Sequence, residues 1–124
     1  METPLHILVV DDEPQLLRLM QAFLERLGYA VTCCVDAASA LALMSESPCR
    51  FRVVVTDLSL PDLPGPELGL RILDLNPDGR ILVCSGYVFE VETLPAAVRR
   101  RFGSLQKPFL PKMLVAAVEE LLAR

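Results

Sequence analysis

The sequence predicts an α/β domain with a doubly wound, five-stranded parallel sheet and helices on both faces. Short apolar runs that suit buried strands alternate with longer stretches whose apolar residues recur at helical spacing. The apolar runs are nearly continuous, as expected for strands that are covered on both faces. The 124 residues match the length of one domain and contain no linker-like break, so we expect residues 1–124 to form one unit.

The first strand–helix repeat has clear boundaries. Residues 5–10 (LHILVV) form the first predicted strand, which ends at two aspartates. Pro14 suits the first turn of the following helix, where the missing N–H of proline costs nothing. Leu17 and Leu24 belong to one apolar stripe of this helix. Gly28 stands where a helix commonly ends.

The second and third repeats follow the same pattern. Residues 29–35 form the second predicted strand, and Asp36 is placed to cap a helix that Pro48 closes. Residues 52–56 (RVVVT) form the third strand, which is rich in β-branched residues. A loop with two prolines and a glycine covers residues 58–65, and apolar residues then recur at helical spacing.

The last two repeats are less regular. Residues 80–84 (RILVC) form the fourth predicted strand. Pro95 interrupts the stretch that follows, because proline lacks a backbone donor and clashes with the preceding helical turn. We therefore expect only a short helix at about residues 95–101. Residues 104–106 form a brief fifth strand, and Pro111 opens a last helix, which gives five repeats of strand and helix.

Polar side chains follow four of the predicted strands. Asp11 and Asp12 follow the first strand, Asp57 the third, Ser85 the fourth and Lys107 the fifth. Ligands of open parallel sheets bind beyond the carboxyl ends of the strands. The sequence therefore predicts that three carboxylates, one hydroxyl and one ammonium group converge at one edge of the sheet.

Such a cluster has the composition of a site for phosphoryl transfer. Three neighbouring carboxylates repel one another, and a hard divalent cation such as Mg²⁺ (or Mn²⁺) removes the conflict by binding their oxygens. Lys107 supplies a compact positive charge for phosphate, and Ser85 supplies a hydrogen-bond donor. Asp57 then stands as a carboxylate nucleophile among groups that neutralise a phosphoryl group.

Four short motifs stand at strand ends, and they are Val9-Val10-Asp11-Asp12-Glu13, Thr56-Asp57-Leu58-Ser59-Leu60-Pro61, Ser85-Gly86 and Lys107-Pro108-Phe109. Any one of them is common, but all four in this order and at these spacings are specific. With them the chain resembles, over essentially its whole length, the receiver domain of bacterial response regulators. The resemblance implies a flavodoxin-like sheet with the strand order 2-1-3-4-5 found in chemotaxis receivers.

The resemblance implies a role for each residue of the metal and phosphate site. Asp57 would be the phosphoacceptor, and Asp12 would bind the metal directly while Asp11 acts mainly through water. The backbone carbonyl of Ser59 would be a further metal ligand. Lys107 would hold the phosphoryl group, and the peptide bond between Lys107 and Pro108 would be cis.

Two further residues bear on how such a domain would signal. Ser85 would bond a phosphate oxygen in the phosphorylated state. Receivers usually carry an aromatic residue three positions before the lysine of the fifth strand, and this chain has Ser104 there. The departure leaves the phosphotransfer residues intact and puts the usual aromatic switch in doubt.

The composition limits the partners. A net charge of −4 gives no basic footprint for direct nucleic acid binding. No apolar stretch approaches the roughly 20 residues of a membrane span, and no signal peptide is recognisable, so we expect a cytoplasmic protein. Its four cysteines show no metal-binding spacing and are expected to be free thiols. The expected partner is a sensor histidine kinase or a phosphotransfer protein, and a phosphorylation-dependent dimer is left open.

Three alternatives stand beside a slowly self-dephosphorylating, non-enzymatic receiver. The stretch Leu105-Gln106-Lys107-Pro108-Phe109 resembles receiver modules of hybrid histidine kinases. A phosphatase-type hydrolase is disfavoured, because such enzymes usually carry a second carboxylate two residues after the nucleophile, where this chain has Ser59. A phosphate-independent binding module is disfavoured because none of the polar site residues has been lost.

Overall fold

The computed structural model describes residues 4–124. It contains five β-strands, four α-helices and two short 3₁₀ helices, which span Val91–Thr93 and Ala96–Arg101. In chain order the strands and α-helices are β1 (His6–Val10), α1 (Pro14–Arg26), β2 (Ala30–Cys34), α2 (Ala37–Glu46), β3 (Val53–Asp57), α3 (Gly65–Leu75), β4 (Arg80–Ser85), β5 (Phe102–Gln106) and α4 (Pro111–Ala123).

The five strands form one parallel sheet in the order β2-β1-β3-β4-β5. This order confirms the doubly wound, flavodoxin-like topology expected from the sequence. The order reverses beside β1, so the carboxyl ends of β1 and β3 lie next to each other at the centre of the sheet. The aspartates that follow these two strands are thereby brought together.

The helices cover the sheet on both faces, which explains the apolar strands. On one face α1 and α4 contribute Leu24 and Leu114 to a core that includes Val55 of β3. On the other face α2 and α3 contribute Met44 and Ile72 to a second core. All five of these side chains are at most 1% exposed. Both faces of the central strands are therefore buried, which explains why these strands are apolar on both sides.

Local signals fix the ends of the first two helices as predicted. Pro14 occupies the first turn of α1. Gly28, just beyond the end of α1, has a φ of 96°, a backbone conformation that favours glycine. The Asp36 side chain accepts a hydrogen bond from the Ser39 N–H at 2.8 Å and so caps α2.

The segment between β4 and β5 departs from a regular repeat. Among the described residues 86–101 there is no α-helix, and the expected short helix at residues 95–101 is a 3₁₀ helix at Ala96–Arg101. Pro95 immediately precedes it and cannot donate a hydrogen bond to an earlier turn. The short helix expected in the fourth repeat is therefore present as a 3₁₀ helix, and the other four repeats have α-helices.

Strand β5 begins two residues earlier than predicted, at Phe102. The Phe102 ring is buried and lies against Gly69 of α3, where a Cβ atom would approach the ring to within 2.8 Å. Ser104 and Gln106 lie on the same face of β5 as Phe102, because alternate residues of a strand share a face. Both are exposed, since the 3₁₀ segment covers only the first part of this strand.

Candidate functional site

Five polar residues meet at the carboxyl edge of the sheet, as the sequence predicts. Asp11 and Asp12 follow β1, Asp57 is the last residue of β3, and Ser85 is the last residue of β4. Lys107 directly follows β5. The residues come from four strands, so the parallel topology rather than sequence proximity assembles the cluster.

Lys107 is the cation at the centre of this edge. Its Nζ atom lies 2.9 Å from Asp57 Oδ1 and 3.2 Å from Asp11 Oδ2. Burial acts to lower the pKa of Lys107, but the hydrogen bonds and attraction from Asp57 and Asp11 outweigh it, so the pKa is raised. Lys107 is therefore held charged between two carboxylates, each of which it can neutralise in part.

Asp11 is the most enclosed of the three acids, with 1% of its surface exposed. Its Oδ1 atom accepts a hydrogen bond from the Glu13 N–H at 2.9 Å. Burial raises the pKa of Asp11 above its ordinary value, against the opposing effects of the Glu13 N–H and Lys107. The Asp11 carboxylate is therefore desolvated, and an added positive charge beside it would stabilise its ionised form.

The three carboxylates have the arrangement of a cation site. Asp11, Asp12 and Asp57 each offer one oxygen atom, and these atoms lie within 4.8 Å of one another. Asp11 is buried, Asp12 is exposed and Asp57 is partly exposed, so the cluster opens to solvent on one side. An all-oxygen set with an open side fits a hard divalent cation that keeps several waters.

The loop after β3 is held close to the Asp57 backbone. The Leu58 N–H donates to the Cys84 carbonyl at 2.8 Å, and the Gly65 N–H donates to the Leu58 carbonyl at 2.7 Å. Ser59 pairs with Pro64 in an isolated antiparallel bridge. These contacts fold the loop tightly on itself. They constrain the backbone of Ser59, which follows Asp57 by two residues.

Gly65 marks the closest approach in this loop. A Cβ atom at this position would lie 2.1 Å from the Asp57 carbonyl oxygen, so only glycine fits without moving the backbone. In the sequence Gly65 stands only as the end of a predicted loop. A glycine at the first position of a helix was the available signal, because glycine is a poor helix former.

Asp62 is a second contributor that sequence reasoning missed. Its two carboxylate oxygens accept hydrogen bonds from the N–H groups of Ala37 and Ala38, each at 2.9 Å. These bonds from the start of α2 lower the pKa of Asp62. The loop that follows Asp57 is thereby fastened to a helix 25 residues earlier in the chain, a long-range contact that local patterns do not show.

Ser85 lies buried beside the cluster, with 3% of its surface exposed. Its Oγ atom accepts a hydrogen bond from the Tyr87 N–H at 2.9 Å. The Ser85 carbonyl accepts a hydrogen bond from the Lys107 N–H at 2.7 Å, which ties the end of β4 to the end of β5. The Lys107–Pro108 peptide bond is cis, as the resemblance implies.

The four cysteines are separate from the five polar residues of this edge. Cys33, Cys34, Cys49 and Cys84 are free thiols. Cys84 pairs in register with Asp57, and burial raises the pKa of its thiol to about 12. The Cys84 side chain is therefore a neutral, buried group and not a thiolate nucleophile.

No helix among residues 4–124 combines the length and apolar character needed to cross a membrane.

Comparison with known proteins places the chain in a sequence family. The profile described as "response regulator receiver domain" matches residues 7–119. The response regulator receiver protein CpdR of Brucella abortus is 31% identical over 116 residues, which cover 94% of this chain and 95% of that protein. The sensor kinase CckA of the same species is 30% identical over 118 residues, which cover 95% of this chain but 12% of the kinase.

Solved structures agree with the sequence comparisons. A response regulator from Burkholderia pseudomallei, solved with a phosphorylated aspartic acid, calcium ion and citrate, is 32% identical. The superposition has a TM-score of 0.76 and covers 96% of this chain and 71% of that structure. The match therefore extends over nearly all of this chain, and the residues matched by the family profile include every residue of the edge cluster.

Proposed function

Because the chain belongs to the response regulator receiver domain family, we propose that it takes a phosphoryl group on Asp57 from a phosphohistidine of a partner protein. It is a receiver domain of a two-component system, which is a signalling module and not a classical enzyme. One observation carries the assignment of the site. Lys107 Nζ bonds both Asp57 and Asp11, beside three carboxylate oxygens that lie within 4.8 Å of one another.

The proposed transfer places Asp57 as the nucleophile. A carboxylate oxygen of Asp57 attacks phosphorus in line with the imidazole nitrogen of the partner's phosphohistidine. The P–O bond forms as the P–N bond breaks, and the leaving imidazole takes up a proton from solvent or the partner. Asp57 suits this role because its side chain is partly open, with 16% of its surface exposed, and it faces Lys107.

Lys107 and Ser85 stabilise the transferred group. The Lys107 ammonium lies at hydrogen-bond distance from Asp57, so it can move onto a phosphoryl oxygen with a small displacement. Ser85 is buried at the end of the neighbouring strand, and its hydroxyl can donate to a second phosphoryl oxygen. The Lys107 ammonium charge and the Ser85 hydroxyl dipole are held at the point where negative charge develops on the phosphoryl oxygens.

Asp11, Asp12, Asp57 and the backbone carbonyl of Ser59 would hold Mg²⁺ or Mn²⁺. When bound, the cation supplies neutralisation of charge on the phosphoryl oxygens. The oxygen-only donor set on this chain suits such a hard ion. The phosphorylated aspartate and the calcium ion in the Burkholderia pseudomallei relative support both parts of the proposal.

Residues 1–124 are proposed as one receiver domain that works in the cytoplasm without binding nucleic acid directly. Its partner is a sensor histidine kinase or a phosphotransfer protein, and the acyl phosphate is lost by slow self-catalysed hydrolysis. A phosphorylation-dependent dimer remains an alternative to a monomer. The match to the sensor kinase CckA favours a second setting, in which this receiver is one module of a hybrid kinase.

Incubation with acetyl phosphate or phosphoramidate, followed by intact mass measurement, tests the proposal. We expect a gain of one phosphate that requires a divalent ion and disappears in Asp57→Asn. Asp74→Asn, which changes an exposed carboxylate on α3, is the matched control and should still be phosphorylated. Phosphorylation that survives Asp57→Asn, or that EDTA leaves unchanged, would contradict the assignment. Partner binding unaffected by Asp57→Asn would instead favour a phosphate-independent module.

A further inference from the structure

An open cavity lies beside the phosphoacceptor edge and has no role in the proposed transfer. Its volume is about 200 Å³. Val83 and Ser85 of β4 form one wall, and Ser104 and Gln106 of β5 form the other. These four residues occupy one face of the sheet, because each pair is separated by two positions along its strand. The cavity therefore reaches from the hydroxyl of Ser85 to the exposed part of β5.

The cavity is open because Tyr87, Val88 and Phe89 line its outer side without filling the space above the end of β5. Phe102 begins β5 on the same face and is buried, whereas Ser104 and Gln106 are exposed. A serine side chain is too small to fill the space above the strand. The 3₁₀ segment packs against the core through Val91 and Val98, and Ser104 and Gln106 stay exposed beyond it. A larger apolar group from a neighbouring segment would fit this space and gain from burial.

Tyr87 is such a group and stands at the rim of the cavity. It is 77% exposed, the highest value for a large hydrophobic side chain among residues 4–124. Tyrosine buries roughly 150–250 Å² when it is enclosed. The cavity and the Tyr87 side chain are complementary, because the cavity is unfilled and the ring beside it is exposed.

A hydrogen bond connects Tyr87 to the phosphoryl site. The Tyr87 N–H donates to Ser85 Oγ at 2.9 Å. A movement of Ser85 Oγ towards a phosphoryl group on Asp57 either breaks this bond or draws the Tyr87 backbone with it. In both cases the position of the Tyr87 backbone depends on the hydrogen-bond partner of Ser85 Oγ.

We propose that Tyr87 is the switching side chain of this domain, exposed in the structure described here and inserted into the cavity beside Ser104 when Asp57 is phosphorylated. The proposal rests on the function proposed for Asp57 and Ser85. Insertion removes an aromatic ring from the surface next to the acceptor aspartate and covers the open end of β5. The domain then presents a different surface to a partner in its two states.

The composition of the chain makes the movement measurable. Tyr29 and Tyr87 are its two tyrosines, and it has no tryptophan. In a Tyr29→Phe variant, tyrosine fluorescence therefore reports Tyr87 alone. Beryllofluoride with Mg²⁺ serves as the phosphoryl mimic, and ¹⁹F NMR of the bound mimic measures loading of the site independently. We expect loading to lower the acrylamide quenching constant by about twofold or more, because a buried ring is shielded from collisions.

Two further variants assign the movement to the cavity. Ser104→Phe fills the cavity at an exposed strand position that tolerates an aromatic residue. In this variant we expect Tyr87 to stay quenchable after loading. Reciprocal coupling also requires that Tyr87→Ala weaken beryllofluoride binding, by about fivefold or more, and that Tyr87→Phe largely restore it.

The outcomes separate this inference from the proposed function. Failure of beryllofluoride to load would overturn the function proposed for Asp57, and the switch with it. Loading with unchanged quenching of Tyr87 would overturn the switch alone. Shielding of Tyr87 that persists in Ser104→Phe would show that the ring moves to another place, which also overturns the inference. Melting temperatures of the variants exclude unfolding as the cause.

Discussion

Lys107 Nζ lies 2.9 Å from Asp57 Oδ1 and so occupies the position from which it can follow a phosphoryl group onto that aspartate. The same ammonium group lies 3.2 Å from Asp11 Oδ2. One positive charge therefore serves two carboxylates that would otherwise repel each other. Any change at Lys107 removes both this neutralisation and the contact to the transferred group.

Lys107→Ala should reduce phosphorylation by acetyl phosphate about tenfold or more, because one fixed charge on the phosphoryl oxygens is lost. The fold should persist, since the lysine lies at a polar rim and its loss leaves no cavity in either core. Initial rates from intact mass spectra measure the effect. Lys112→Ala is the matched control, because Lys112 is an exposed lysine on α4. A large fall in melting temperature together with lost phosphorylation would show that Lys107 is mainly structural.

Gly65→Ala should destabilise the domain by at least about 2 kcal/mol, because its Cβ atom would lie 2.1 Å from the Asp57 carbonyl oxygen. Urea unfolding measures this change. The displaced Asp57 backbone should also slow phosphorylation of the fraction that remains folded. Gly86→Ala is the control, since a Cβ atom there meets nothing within 4 Å. Equal stability of the two variants would contradict the close approach at Gly65.

Local features of this fold follow from the sequence, whereas its long-range contacts do not. Strand ends and helix starts were predictable, because Pro14, Gly28 and Asp36 act within a few residues of where they stand. The edge cluster followed from one rule of parallel sheets. The contact of Asp62 with α2 was not predictable, because it joins residues 25 positions apart.

The packing around the fourth repeat was not predictable for a related reason. Pro95 indicated that a regular helix was unfavourable, but local sequence could not say what would cover β5 instead. The tertiary result is that Phe102 fills the space beside Gly69 while Ser104 stays exposed. The cavity beside Ser104 is a consequence of this packing and leaves no mark in the local pattern.

The contact of Asp62 with α2 should make stability depend on pH. Because the folded state lowers the pKa of Asp62 below 3.8, its contribution is fully present above the ordinary pKa and is lost as pH falls through the lower, folded value. We expect Asp62→Ala to lower the urea midpoint at pH 6 and to differ less from the parent protein at each step below about pH 4.

Asp74→Ala is the control for this pH series, since Asp74 is an exposed acid on α3 for which no hydrogen bond to a helix start is present in the described chain. Its effect on the urea midpoint should be small at every pH. A deficit in Asp62→Ala that stays constant from pH 6 to pH 3 would show that the carboxylate charge does not matter to the cap.

Among the segments that surround the sheet, the one between β4 and β5 should have the backbone amides least protected from hydrogen exchange. Its backbone is organised in two 3₁₀ turns, with hydrogen bonds from the N–H groups of Thr93 and Leu94 to nearby carbonyls. Arg99 adds two contacts, from its guanidinium to the carbonyls of Leu94 and Glu92, at 3.0 and 2.9 Å. Short 3₁₀ turns with exposed backbone bonds open at low free energy. Amide hydrogen exchange should therefore be fast at residues 87–101 and slow in β1, β3 and β4.

Phosphorylation should change the order of this same segment, because it joins Ser85 to β5 and carries Tyr87 at its start. We expect beryllofluoride to alter exchange at residues 87–101 while the central strands stay unchanged. Arg99→Ala should raise exchange there in the free protein, whereas Arg100→Ala, at the next exposed arginine, should not. Strong protection of the segment in the free protein, unchanged on loading with beryllofluoride, would show that it is a rigid connection. The signal would then have to leave the site by another surface.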